Sequence, residues 1–171
     1  MKNIVLTGFM GSGKSAVGKR LAQRLGTKVI DTDDLIEERA CTSITSIFSE
    51  HGEKHFRELE KSVVKDVSQL DNRVIITGGG VVLDPENIEN LKRNGVIVYL
   101  PVEPDVAYER VKRRTHRPLL QVEDPLKTIK ELMEYRAQFY ANNDYEIDTF
   151  KLTVDEVVEN ILRDVKPFIG D

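Results

Sequence analysis

Apolar residues recur along this chain in two rhythms. Short runs rich in β-branched residues, Ile4 to Thr7, Lys28 to Ile30, Val74 to Thr77, Val96 to Leu100 and, more weakly, Tyr145 to Ile147, read as strands. Between them the apolar positions step by three and four. Val17, Leu21 and Leu25 mark one helix face, and Phe56, Leu59, Val63, Val67 and Leu70 mark a second. Ile129, Leu132, Met133, Phe139 and Tyr140 trace a third, and Val157, Val158, Ile161, Leu162 and Val165 a last one. Strands alternating with helices predict βα units on a parallel sheet, hence an α/β fold. No repeat, low-complexity tract or linker divides the chain, so one domain over residues 1–171 is expected. The charged stretch from Arg110 to Glu123 breaks the rhythm, between a helix starting after Pro104 and another starting near Pro125. A loop of that length inside a compact domain is more often functional than idle.

Composition narrows the class. A chain of 171 residues can bury a real core around a sheet. Its 25 Lys+Arg against 29 Asp+Glu leave a formal net charge of −4, which argues against a protein built to hold a nucleic-acid backbone. Basic clusters are therefore read as local sites. The single cysteine, Cys41, excludes an internal disulfide and fits a reducing compartment. There is no cleavable apolar segment at the start and no apolar run near the roughly 18 residues that would span a bilayer. A soluble, cytoplasmic monomer with neither nucleic-acid nor membrane partner is expected.

The sharpest chemical signal is GFMGSGKS, Gly8 to Ser15, which fits the phosphate-cradling pattern GxxxxGK[ST] directly after the first strand and ahead of the first helix. Glycine at Gly8, Gly11 and Gly13 lets backbone N–H groups close around phosphate oxygens. The helix that follows points its positive end at the anion. The motif, Gly11, Ser12, Gly13, Lys14, Ser15 and Ala16, is the expected ATP-binding loop. Lys14 can reach the β- and γ-phosphates, and the Ser15 hydroxyl is of the type that holds Mg²⁺.

Asp31-Thr32-Asp33-Asp34 follows the second strand, at the C-terminal edge where ligands of open α/β sheets gather. Phosphoryl transfer needs a carboxylate for the metal, directly or through water, and another to orient the attacking hydroxyl. Asp31 suits the first role and Asp33 the second. The plain alternative is that these acids cap a helix beginning near Leu35. His51 and His55 stand four apart, but Gly52 occupies the place where a helical zinc motif needs its glutamate, so zinc is not expected.

With these residues in view the chain resembles the shikimate kinase family from Lys2 to about Val165. The similar segments are GFMGSGKS, DTD at Asp31 to Asp33, SIFSEHGEKHFRELE at Ser46 to Glu60 with its FRxxE core, GGG at Gly78 to Gly80, RPLL at Arg117 to Leu120, and the Tyr135-Arg136 pair. The resemblance implies a three-layer P-loop NTPase-type fold with a central five-stranded parallel sheet. It also implies a mobile lid, at about residues 112–123, and a substrate-binding segment at about residues 33–60. The activity it implies is transfer of the ATP γ-phosphate to the 3-hydroxyl of shikimate, on the route to aromatic amino acids, with Mg²⁺ as cofactor.

The residue chemistry agrees with that reading. A planar guanidinium binds carboxylate as a fork, and Arg57 and Arg136, on two separate helices, could converge on the one carboxylate of shikimate. The resemblance assigns them that role, and gives Gly79 and Gly80 as backbone contacts of the acceptor. Phe48 and Phe56 could wall the ring. Arg57, beside Glu58 and Glu60, could instead lie on a solvated helix face, Arg136 could sit on the surface, and Gly78 to Gly80 could be a plain turn. Arg117 is expected to offset charge on the transferred phosphoryl group, and Arg110, by resemblance, to lie against the adenine. Arg113, Arg114 and His116 read as a solvated basic loop. Asp33, Lys14 and Arg117 thus form the expected catalytic set. The rivals are another small P-loop kinase, for gluconate or a nucleotide, and an ATP-binding regulatory protein without catalysis.

Overall fold

The computed structural model describes residues 1–112 and 122–169. Five strands, β1 (Asn3–Thr7), β2 (Lys28–Asp31), β3 (Arg73–Ile76), β4 (Gly95–Tyr99) and β5 (Tyr145–Glu146), pair in parallel throughout, in the order β2-β3-β1-β4-β5. All five residues of the central strand β1 are buried. The period-2 pleat sorts its side chains by face: Ile4 and Leu6 enter one core and Val5 the other. Val74 and Ile76 of β3 follow the first pair, and Ile75 the second. Both faces of the sheet are thus apolar and need helices over them.

One face is covered by α1 (Lys14–Leu25) and α7 (Val154–Ile169), through Val17, Leu21, Val157, Val158, Ile161 and Val165. Gly18 lets α1 sit close, since a Cβ there would come within 2.6 Å of the Ile76 side chain. The other face carries α2 (Thr32–Ala40), α3 (Ile44–Val67), α4 (Pro85–Arg93), α5 (Pro104–Val111) and α6 (Pro125–Tyr140). A short 3₁₀ turn, Val81–Leu83, precedes α4.

The expected α/β architecture with five parallel strands and helices on both faces is what the chain adopts. Two helices differ from the sequence reading in their limits. The helix expected near Leu35 starts at Thr32, because the Asp31 carboxylate accepts the Asp33 N–H at 3.0 Å and caps it there. The helix marked by Phe56 reaches back to Ile44 through a break at Gly52, whose φ of 80° and ψ of 173° are non-helical. Leu70, expected on its stripe, falls beyond its end.

Candidate active site

The phosphate-binding loop leaves the centre of the sheet. Strand β1 ends at Thr7, and α1 opens at Lys14 behind Gly13, which holds φ 94°, a left-handed angle that a side chain would strain. Gly13, at the N-cap, has no side chain to cap the first turn, so the turn's N–H groups are left to the loop. The Lys14 ammonium is buried and donates to the carbonyls of Gly8 at 2.7 Å and Phe9 at 3.0 Å, and to Ser12 Oγ at 3.4 Å. A cleft of about 560 Å³ opens over this loop, lined by Gly11, Ser12, Gly13, Lys14, Ser15 and Ala16 and also by Asp31, Asp33 and Asp34. The sequence motif and the acidic cluster therefore share one cavity. Arg110, on α5, reaches the same rim, its Nη1 donating to Gly11 O at 2.7 Å. Thr149, Leu152 and Val154 form the cleft's outer wall.

Asp31 sits where β2 meets α2. Burial first, and then the charges of Asp33 and Asp34, push its carboxyl from the ordinary 3.8 up to about 6, against the pull of the α2 amides. A carboxylate so burdened, on the same cavity wall as Ser15, is a fitting pair for a divalent cation. Among the described residues no cluster of three His, Cys, Asp or Glu could cage a metal. Mg²⁺ takes one or two protein oxygens and completes its shell with phosphate and water. His51 and His55 meet edge to face, ring centroids 5.0 Å apart, outside any such cluster.

The second half of the site is built around the glycines after β3. The Thr32 hydroxyl, fully buried, accepts the Gly78 N–H at 3.1 Å and joins α2 to this turn. A Cβ on Gly78 would lie 2.5 Å from Asp33 Oδ1 and 3.4 Å from Glu60 Oε1. At Gly80 it would run into the Arg57 guanidinium. The Gly79 carbonyl accepts from Arg136 Nη1 at 3.3 Å and from Tyr140 Oη at 2.6 Å. Asp33, Arg57 and Arg136, which lie far apart in sequence, are thus gathered along three consecutive glycines at the C-terminal edge of the sheet.

Arg57 is no solvated helix charge. Its Nη1 donates to both Glu60 oxygens, at 2.8 and 3.0 Å, and its Nη2 to Glu53 at 3.0 Å. Burial opposes its charge, yet the Glu60 and Glu53 carboxylates outweigh that and hold it above its ordinary range. Glu60 itself is 1% exposed, and burial pushes its carboxyl up against the pull of Arg57. Arg136 is buried on α6, its guanidinium 5.7 Å from the centre of the Phe9 ring, and its Nε has no partner among the described residues. Phe56 is buried and Phe48 partly so, their rings 4.8 Å apart, with Arg57 5.1 Å from the Phe56 ring. Glu60 and Tyr140 were not singled out from sequence. Glu60 had a signal, the three-residue spacing from Arg57; Tyr140 had none beyond its place on an apolar stripe. Arg117, with Arg113, Arg114 and His116, lies outside the described residues, as does most of the expected lid.

A nucleotide loop on the central strand and an acid-and-arginine cluster beside it define a P-loop phosphotransferase of small molecules. The comparisons with known proteins carry the assignment further. The family model described as Shikimate kinase matches residues 10–166. A shikimate kinase of Caldanaerobacter subterraneus subsp. tengcongensis is 52% identical over 163 residues, 95% of each chain. Among solved structures, a shikimate kinase from Acinetobacter baumannii in complex with shikimate superposes with a TM-score of 0.94 at 34% identity, covering 98% of this chain and 94% of that one. One from Aquifex aeolicus gives 0.84 at 37% identity, covering 98% and 99%. The chain belongs to the shikimate kinase family, whose members are ATP-dependent kinases.

Proposed function

We propose that this chain transfers the γ-phosphate of ATP to the 3-hydroxyl of shikimate, giving shikimate 3-phosphate and ADP, in aromatic amino acid biosynthesis. The observation that carries this reading is the gathering of Asp33, Arg57 and Arg136 on Gly78 to Gly80, next to the phosphate loop. A P-loop that merely held ATP would have no need of one buried and one half-buried arginine gathered with a carboxylate beside it.

Arg57 and Arg136 clamp the acceptor carboxylate, and the backbone of Gly79 and Gly80 approaches the ring. This fixes the acceptor's orientation, one of the two main contributions, with electrostatic stabilisation, where the reaction needs little covalent help. Asp33 orients the attacking hydroxyl and accepts its proton. Lys14 exchanges its contacts with loop carbonyls for the β- and γ-phosphate oxygens, and the N–H groups ahead of α1 hold the same phosphates. Ser15 and Asp31, the latter through water, would hold Mg²⁺; when bound it neutralises phosphate charge. Arg110 stacks on the adenine, and Arg117 offsets the charge on the group in flight. The segment at about residues 112–123 closes over the nucleotide and excludes water. Among the described residues no helix is long and apolar enough to cross a membrane.

The test is ADP release with Mg·ATP and an acceptor panel of shikimate, gluconate and nucleoside monophosphates. Shikimate-dependent ADP is expected. Release with gluconate or a nucleotide in its place, or ATP binding with no acceptor-dependent turnover, would refute the proposal.

A further inference from the structure

Resting on the kinase reading above, we infer that Tyr140 is a positioning residue for the acceptor: its hydroxyl engages the Gly79 carbonyl and so keeps the Arg136 guanidinium for the acceptor carboxylate. Tyr140 is the last residue of α6 and is 3% exposed. Its ring lies flat on that of Tyr99 at the end of β4, centroids 4.9 Å apart and planes 14° apart, so the sheet sets the direction in which the hydroxyl points. The hydroxyl donates to Gly79 O at 2.6 Å. The Tyr140 carbonyl in turn accepts from Asn143 Nδ2 at 2.8 Å, which pins the end of the helix.

A buried tyrosine whose hydroxyl has found a carbonyl is ordinarily just a satisfied core residue. Three observations set this one apart. Its partner is the middle of the glycine strip along which Asp33 and Arg57 are gathered. The same carbonyl is contested by Arg136, one turn earlier on α6, whose bond to it is the longer at 3.3 Å. Finally, a Cβ on Gly79 would lie 3.6 Å from Tyr140 Oη, as from Gly8 O and Met10 N, so the phenol and the phosphate loop together abut that flank of Gly79. Burial pushes the phenol above its ordinary range, and it remains a donor at every working pH.

The physical consequence follows from competition. A carbonyl that has a short bond from the phenol attracts the guanidinium weakly, and the Arg136 Nε is buried without a partner among the described residues. Remove the hydroxyl and Gly79 O keeps the Arg136 bond, while the guanidinium loses the hydroxyl beside it. The guanidinium is then re-set by the carbonyl alone, and the acceptor meets it in a poorer position.

Tyr140→Phe keeps the ring and its stack and removes the hydroxyl's bond to Gly79 O together with its hydrogen-bond interaction with Arg136. The expected result is a rise of about tenfold in KM for shikimate, with kcat changed far less and KM for ATP unchanged. In an Arg136→Ala background the same substitution should have no further effect on shikimate KM, because no guanidinium remains to be re-set. An unchanged shikimate KM, equal losses for both substrates with a lowered melting temperature, or full additivity with Arg136→Ala would overturn the inference. Calorimetric titration of the wild type and Tyr140→Phe with shikimate separates this claim from the kinase reading. If the wild type gives no shikimate-dependent ADP, the kinase reading fails. Weaker binding by the variant would still support the positioning role, and equal binding, or none by either protein, would overturn it.

Discussion

Gly80→Ala tests the arginine clamp without touching an arginine. The backbone at Gly80 holds φ −100° and ψ −5°, which alanine adopts freely, so the substitution strains no dihedral. The new methyl, however, would lie 2.6 Å from Arg57 Nη2 and 2.7 Å from Cζ, against 3.4 Å for ordinary contact. Nη1 lies nearer still, so the guanidinium must retreat by about 1 Å, a displacement of the size that costs up to about 100-fold when it falls on a substrate-positioning group. An arginine on the surface would move at no cost. Here the bonds to buried Glu60 at 2.8 and 3.0 Å and to Glu53 at 3.0 Å hold it, and stretching them sacrifices part of the about 3–5 kcal/mol that breaking a buried pair costs. The expected outcome is a fall of about 10- to 100-fold in kcat/KM for shikimate, with KM for ATP nearly unchanged. The melting temperature should drop by a few degrees, for a loss of about 1–2 kcal/mol. Steady-state kinetics with each substrate varied in turn, and a thermal melt, supply the readouts. A variant with wild-type shikimate kinetics would mean that Arg57 does not hold the acceptor from where it stands.

The remaining expectations concern single groups. Asp33→Asn should lower kcat by about 10²–10⁴ if Asp33 accepts the hydroxyl proton, and near-normal turnover would remove it from that role. Arg136→Ala should weaken shikimate binding by about 2–5 kcal/mol and leave ATP binding largely intact; equal loss for both ligands in calorimetry would point to a damaged fold. For Asp31, the native carboxyl near pH 6 binds its proton more tightly than the unfolded one at 3.8. Native stability without metal should therefore decline as pH rises from about 4 to 6, and the cost should persist above 6. Asp31→Asn, which can still cap α2, should accordingly stabilise the metal-free protein at pH 7 by about 1–2 kcal/mol, reduced from the full linkage because solvent reaches part of the carboxylate. The same variant should bind Mg·ATP less tightly, and a metal-free melt showing no gain would refute the electrostatic account.

Much of this architecture could be read from residue order. The five strands fall within a residue or so of their expected limits, because buried parallel strands are continuous β-branched runs bounded by polar turns. The phosphate loop is legible because it is local: one segment supplies every group it needs. Helix α4 is hard to read from sequence because its buried face is half polar, with Asn87 and Asn90 beside Ile88 and Leu91, and the Asp84-Pro85 cap is its clearest sign. Asp31 turned out to cap a helix and line the cleft at once, so the two readings of the acidic cluster were never exclusive. Glu60 and Tyr140 could not be valued from sequence, since what matters about each is what faces it across the fold. Glu60 matters through its closeness to Gly78, and Tyr140 through a carbonyl 61 positions away.

The two flanks of the sheet bear on how the protein behaves in a crowded solution. On one side β5 spans two residues, and on the other β2 spans four and opens on an exposed Lys28. Strand addition from another molecule needs a long, flat, apolar rim as its template, and neither margin offers one. Intermolecular β-pairing, a common route from a folded α/β protein to aggregates, is thereby blunted by the brevity of the outer strands.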